Sequence, residues 1–402
     1  MSGRVWARAR QAADAVAWGL FGGLGLATRL GIGRVAPLDP ASVRRILVIR
    51  LDLLGDLVFS APTIAALRAA YPAADLTLLT LPYTRPLAVL IPGVDRTLAL
   101  DVNCYRRPAG WRHLGEAVAL VRRLRAAHYD LCLALHGRPA GVLALVSGAR
   151  YRVGYAAHAY PFAFNVPVGG RRYARRQHEA EYCLDLARAV GADGPAVPRL
   201  LAPEGGYRVS GLAAGKRYVV LHPGASNGSA KRWPAASWGR LARAAAEALD
   251  VGVVLTGGEA ERALVETVAA EAGAAAVPVV GTSLLELAAL LAGAEAVVSG
   301  DTGPLHLAAA LGRPALGVYG PTDPAQTGPL GERTAVVRRL VPCGPCYDLR
   351  GPAECKLPDR SLICMRELEP DAVLDALVRL LDAGVMSAVE QATPEVAAER
   401  FT

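Results

Sequence analysis

The chain is short of aromatic residues, at 6%, and of charge, at 20%, while Ala, Val, Leu and Gly dominate. That balance fits close-packed helices over parallel strands better than a β-sandwich. It has no basic helix with recognition spacing and no interleaved aromatics to stack bases, so nucleic acid is the weakest of the anionic partners. Long hydrophobic runs are also missing. The apolar stretch Ala15 to Thr28 has 14 residues, short of the roughly 20 that span a bilayer. Arg29 and Arg34 stand where a signal peptide would carry small cleavage-site residues. There is no Walker A loop, since Gly215 and Lys216 are followed by Arg217. The glycine string around Gly23 and Gly25 has no strand before it, which argues against a nicotinamide fingerprint. No Asp-x-Asp metal-diphosphate pair occurs, so a leaving diphosphate would depend on basic side chains and helix amides.

What is present begins with size. The 402 residues, 52% hydrophobic, suggest two domains with large cores. The net charge of +8 points to an anionic partner. The seven cysteines, three of them (Cys104, Cys132, Cys183) scattered, do not form a secreted disulfide framework and suggest a reducing compartment. The arginines around the apolar N-terminal stretch suit adsorption to an anionic membrane surface, with Trp18 and Phe21 buried. A helix packed on the neighbouring domain explains the same pattern.

After the connector Val35 to Pro40, apolar runs at Ile46 to Ile49, Leu76 to Leu79, Thr97 to Leu100 and Leu131 to Leu135 alternate with helical stretches at Ser60 to Ala70 and Glu116 to Ala127. A Gly-rich segment, Pro203 to Gly215, marks a junction. A second series follows at Tyr218 to Leu221, Val253 to Thr256, Val279 to Val280, Ala296 to Ser299 and Ala315 to Tyr319. The last helix is expected over Pro370 to Leu381. This alternation predicts an α/β protein with two doubly wound parallel sheets and a ligand cleft at the carboxyl ends of the strands. The expected division is an N-terminal basic and apolar segment (1–40), an N-terminal domain (41–205), a C-terminal domain (216–385) and a flexible tail (386–402).

Four strand ends carry unusual chemistry. Arg50-Leu51-Asp52-Leu53-Leu54-Gly55-Asp56 places a carboxylate at a strand edge, where it can act as general base or as a helix cap. His222-Pro223-Gly224-Ala225-Ser226, followed by Lys231-Arg232-Trp233-Pro234, combines a glycine turn, a hydroxyl and two cations suited to a diphosphate; Trp233 reads as packing. Thr256-Gly257-Gly258-Glu259-Ala260-Glu261 brings a glutamate to a glycine turn, where it could accept ribose hydroxyls or serve the helix dipole. Gly300-Asp301-Thr302-Gly303-Pro304, running into the helix Leu305 to Leu311, offers unpaired helix amides to an anion. Asp301 would repel a phosphate and suits sugar hydroxyls better. An ordinary strand-to-helix turn capped by Asp301 or Thr302 explains the same residues.

These motifs, in this order, resemble glycosyltransferase family 9, the ADP-heptose:lipopolysaccharide heptosyltransferases. The resemblance covers about Arg45 to Leu381 and is carried by IRLDLLGD, HPGAS with KRWP, and DTGPLHLAAALG with YGPTDP. It implies the GT-B fold, two Rossmann-like domains facing a central cleft. It further implies an inverting, metal-independent transfer of a sugar, most simply a heptose, from an ADP-activated donor to a lipopolysaccharide-core-like or other glycolipid acceptor, with no cofactor. By the same resemblance Asp56 is the base; Ser226, Lys231, Thr302 and Gly303 contact the diphosphate, Asp301 the sugar and Glu261 the ribose. His306 joins the donor set or is a buried structural histidine. Asp52 competes with Asp56 for the role of base. Arg106, Arg107, His136, Arg138, Arg171 and Arg172, with Arg175 and Arg176, form a basic set suited to an anionic glycolipid. The resemblance implies a cytoplasmic protein, peripheral on the inner face of the membrane. A same-fold enzyme using another nucleotide sugar and a non-catalytic two-domain sugar-binding protein are the alternatives. Cys343, Cys346, Cys355 and Cys364 read as structural; zinc, disulfides and free thiols all fit their spacing.

Overall fold

The computed structural model describes residues 37–101, 114–155, 161–169, 177–225, 227–347, 353–359, 361–382 and 386–392. The apolar stretch Ala15 to Thr28 and the candidate residues Arg106, Arg107, Arg171, Arg172, Arg175, Arg176 and Ser226 lie outside them.

The first sheet contains β1 (Arg45–Ile49), β2 (Asp75–Thr80), β3 (Arg96–Ala99), β4 (Leu131–Ala134), β5 (Tyr151–Tyr155) and β6 (Val166–Val168), all parallel, in the order β3-β2-β1-β4-β5-β6. Its helices are α1 (Leu54–Val58), α2 (Ala61–Ala70), α3 (Leu114–Ala126), α4 (Gly137–Ser147) and α5 (Glu179–Arg188). The second sheet runs β13-β12-β11-β10-β7-β8-β9. It comprises β7 (Tyr218–His222), β8 (Gly252–Gly257), β9 (Ala276–Val280), β10 (Ala296–Gly300), β11 (Ala315–Tyr319), β12 (Arg333–Arg339) and β13 (Met386–Ala392), with α6 (Ala235–Leu249), α7 (Arg262–Ala272), α8 (Leu284–Ala292), α9 (Gly303–Ala310) and α10 (Pro370–Asp382). The central strands are covered on both faces, and Ile46, Leu47, Val48 and Ile49 are fully buried. Unbroken apolar runs of this kind suit parallel sheets sandwiched by helices.

The expected central strands are all present. Three others escaped the pattern. β5 is interrupted by Arg152 and by Gly154, where the Phe164 ring occupies the space of a side chain. β6 is three residues long and contains Pro167. β12 begins and ends in arginine although its centre is buried. A further difference is at the C-terminus, where 386–402 was expected to be a tail. Met386–Ala392 instead pairs in parallel with β12, taking up backbone groups that an edge strand would leave exposed. Trp233 packs, as expected: it is 2% exposed, meets Trp238 edge-on at 5.0 Å, and donates its indole N–H to the Leu368 carbonyl.

The two domains are stitched by the connecting chain and by direct packing. Leu200 N–H bonds the carbonyl of Ala310 in the C-terminal domain, and the next residue, Leu201, bonds that of Leu90 in the N-terminal one. The first turns of α1 and α9 lie against each other. A Cβ at Gly303 would fall 2.7 Å from Leu54, and one at Gly55 would fall 2.9 Å from the His306 ring. Glycine is needed at both positions for this approach.

Candidate active site

The facing strand ends enclose a cleft of about 670 Å³. Asp52 and Asp56 reach it from the end of β1, His136 from the end of β4, Lys231 from the loop after β7, Glu261 from the end of β8, and Asp301, Thr302, Gly303 and His306 from the end of β10. Arg138 does not form part of its wall. The described donor candidates thus share a single cleft with Asp56.

Asp56 lies in α1, a turn of helix that precedes the helical stretch Ser60 to Ala70 expected from the sequence. The carboxylate explains the turn: Oδ2 accepts the Leu53 N–H at 3.3 Å, satisfying an orphan donor of the helix start. Oδ1 accepts a bond from Arg50 Nη2 at 2.9 Å. Arg50 itself is 1% exposed and also pairs with Glu179 at 2.9 Å and Asp52 at 3.1 Å. Of the two competing aspartates, Asp56 is the more open, 34% against 23%.

On the other wall, Lys231 Nζ lies 2.8 Å from Asp301 Oδ2, and both side chains are nearly buried, at 10% and 5%. Asp301 Oδ1 is 3.3 Å from His306 Nε2 and accepts a bond from the Tyr319 hydroxyl at 3.2 Å. Burial alone would raise the Asp301 carboxyl. The Lys231 charge, with the His306 and Lys231 hydrogen bonds, outweighs burial and holds it well below the usual range. Asp301 therefore orients the lysine as well as lining the cleft, a role the sequence did not suggest. The Thr302 hydroxyl is engaged with Ser299 at 2.7 Å, and no side chain caps α9. Gly303 and Pro304, which open α9, line the cleft, and a helix start favours an anion.

Glu261 closes its own helix start by accepting the Gly258 N–H at 3.0 Å, and its other neighbour is His222 Nε2 at 3.9 Å. Burial lowers the pKa of His222. A side chain at Gly224 would collide with the Glu261 carboxylate, so this glycine admits the glutamate into the cleft. Asn227 and Tyr347 also line the cleft, the tyrosine ring lying 5.2 Å from Lys231 Nζ.

Tyr347 directly follows Cys346, one of the four clustered cysteines. Cys343, Cys346, Cys355 and Cys364 are free thiols around a separate cavity of about 270 Å³. Among the described residues, no group of three His, Cys, Asp or Glu side chains is arranged to hold a metal ion.

One contact between the domains is sensitive to pH. His178, just before α5, accepts the Ala180 N–H on Nδ1 at 3.1 Å, so Nε2 carries the proton and donates to the Gly328 carbonyl at 2.9 Å. Phe59 stands edge-on to it at 4.9 Å and also meets His306 at 4.5 Å. Burial lowers the His178 pKa from 6.5 to about 4. Its unfolded counterpart binds a proton first, so this contribution is complete above pH 6.5 and is lost as pH falls toward 4. The loss is about 3 kcal/mol. Denaturant midpoints measured from pH 7 to pH 4 should fall more steeply for the native protein than for His178→Asn.

The family model described as glycosyltransferase family 9 (heptosyltransferase) matches residues 117–356. The chain belongs to glycosyltransferase family 9. A Haemophilus influenzae relative, whose own designation as a glycosyltransferase is provisional, is 30% identical over 238 residues. That match covers 54% of this chain and 65% of the relative. The solved Escherichia coli ADP-heptose lipopolysaccharide heptosyltransferase II is 26% identical, with a TM-score of 0.67 over 85% of this family 9 chain and 99% of its own. The E. coli heptosyltransferase WaaC with ADP is 22% identical, with a TM-score of 0.65 over 84% and 99% of the two chains, and shares the fold. A family 9 glycosyltransferase of Veillonella parvula is 20% identical, with a TM-score of 0.68 over 87% and 99%, and shares it as well.

Sequence reasoning missed several cleft residues. Arg50 stood inside a quoted motif without a role. Glu179 has no local signal, because it reaches Arg50 from 129 residues away. Tyr83, Asn227 and Tyr347 sit in loops whose neighbourhood only the fold defines.

Proposed function

We propose that this family 9 member is an inverting glycosyltransferase, moving a heptose from an ADP-activated donor to an anionic glycolipid of the lipopolysaccharide-core type at the inner face of the cytoplasmic membrane. The observation that carries the reading is the shared cleft. A partly open carboxylate from one domain faces a buried lysine and an uncapped helix start from the other, across the α1 and α9 contact.

The chemistry follows from that arrangement. An acceptor hydroxyl hydrogen-bonded to Asp56 gives up its proton as its oxygen attacks the anomeric carbon. The bond to the donor diphosphate breaks on the opposite side of that carbon, so its configuration inverts. Lys231 and the first amides of α9 face the charge that develops on the departing ADP. Glu261 accepts the ribose hydroxyls, and Asp301, besides orienting Lys231, and His306 flank the sugar. His136, with the arginines 106, 107, 138, 171 and 172, attracts the acidic acceptor. ADP-heptose is favoured as donor because the E. coli relatives of this fold are an ADP-heptose enzyme and a heptosyltransferase held with ADP. Membrane contact is assigned to the N-terminal segment; among the described residues no helix is long and apolar enough to cross a bilayer.

The test is incubation with a panel of nucleotide sugars and membrane glycolipid extracts, with and without EDTA, followed by mass analysis. ADP-heptose should yield a product one heptose heavier, undiminished by the chelator. Transfer from another nucleotide sugar alone would overturn the donor assignment. Sugar binding that needs no nucleotide, with no transfer, would overturn the enzyme reading.

A further inference from the structure

Arg50 is the most deeply buried cation at the cleft, and its surroundings are specific. Its Nη2 bears two hydrogens and has two acceptors, Asp56 Oδ1 and Glu179 Oε1, each at 2.9 Å. Nη1 donates to Cys183 Sγ at 3.2 Å. Nε lies 3.1 Å from Asp52 Oδ2, but the atoms are misaligned for a hydrogen bond, so that contact is Coulombic. Glu179 is 7% exposed and is the first residue of α5, where the helix dipole favours an acid.

A buried guanidinium needs partners on its edges, and its planar fork fixes the directions of the groups it holds. In a one-to-one pair with Asp56 the fork would take both carboxylate oxygens and draw electron density from the base. Here Glu179 takes half of Nη2, Cys183 holds Nη1, and Asp52 shares the charge. Arg50 therefore bonds Asp56 through Nη2 to Oδ1, while Oδ2 accepts the Leu53 N–H, and the two bonds together set the angle of the carboxylate.

We infer that Glu179, acting through Arg50, is a positioning residue for transfer: it fixes the angle of the Asp56 carboxylate and keeps Arg50 from pairing with it fully. This rests on Asp56 being the base. Glu179 lines the cleft but is 7% exposed and paired with Arg50, so its effect is expected on turnover and not on donor binding.

The experiment compares Glu179→Gln, Glu179→Asp and Asp56→Asn in the full-length protein, measuring kcat, KM for both substrates, ADP affinity by titration, and thermal midpoints. Glu179→Gln removes the charge that holds Arg50 while keeping the shape. It should lower kcat about 10- to 100-fold, the scale of a misplaced catalytic group, with KM values and ADP affinity within twofold. Glu179→Asp keeps the charge on a shorter arm and should recover part of kcat. Full kcat in a folded Glu179→Gln protein overturns the inference, as does an equal loss of kcat and ADP affinity. Should Glu179→Gln fail to fold, Glu179→Asp decides: reduced kcat with intact ADP affinity supports the role, and full kcat overturns it. Asp56→Asn separates the two assignments. If it retains full transfer, the base is wrong; if it is inactive while the Glu179 variants are fully active, only the positioning role falls.

Discussion

Asp56→Asn is expected to lower kcat by about 10²- to 10⁴-fold, the usual worth of a positioned general base, while ADP binds as before. Asparagine keeps the size of the side chain and an oxygen for the Leu53 N–H, so α1 should persist. What it loses is a proton acceptor, together with the negative partner of Arg50 Nη2 at 2.9 Å. Asp52 lies against the same guanidinium and has the charge to replace it, but it is less open to the cleft. Single-turnover rates and ADP titrations on the variant check both halves of the prediction. Full transfer with ADP affinity unchanged would end the assignment.

Lys231→Met is expected to act on stability as well as on the donor. Asp301 is 5% exposed and would be left as a buried carboxylate without its cation. Losing one member of such a pair costs about 3–5 kcal/mol. Adding Asp301→Asn to Lys231→Met removes the stranded charge and should restore much of that stability. It should not restore donor binding, since the cation proposed to face the diphosphate is still missing. Urea midpoints and ADP titrations on the single and double variants separate the two effects. If the double variant bound ADP normally, Lys231 would have no part in holding the diphosphate. The remaining contacts of Asp301, to His306 and Tyr319, are present in the single variant and give it a partly hydrogen-bonded environment.

Much of the architecture was legible because the central strands are continuous apolar runs that end in glycine turns. The Ile46 to Ile49 and Ala296 to Ser299 runs announce buried parallel strands, and Gly55 and Gly303 mark the helix starts that follow them. β5, β6 and β12 were hidden by residues whose reasons are tertiary. Arg152 in β5 donates to the Ala149 and Ala163 carbonyls, and Gly154 makes room for Phe164. Neither fact has a trace in local periodicity. The site was legible at its strand ends for the same reason the sheet was. The groups that hold those residues were not: Glu179 reaches Arg50, and His178 reaches Gly328, across separations of 129 and 150 residues. The sequence also suggested a sugar contact for Asp301 without revealing its grip on Lys231, because a buried ion pair between distant strand ends has no spacing to recognise.

The glycine contact between α1 and α9 acts as a fulcrum. Asp56, the proposed proton acceptor, lies on one side of it and the start of α9, the proposed diphosphate site, on the other. Were the lobes to rotate about this contact, the outer rims of the cleft would move farther than Asp56 and Gly303, which lie within a turn of it.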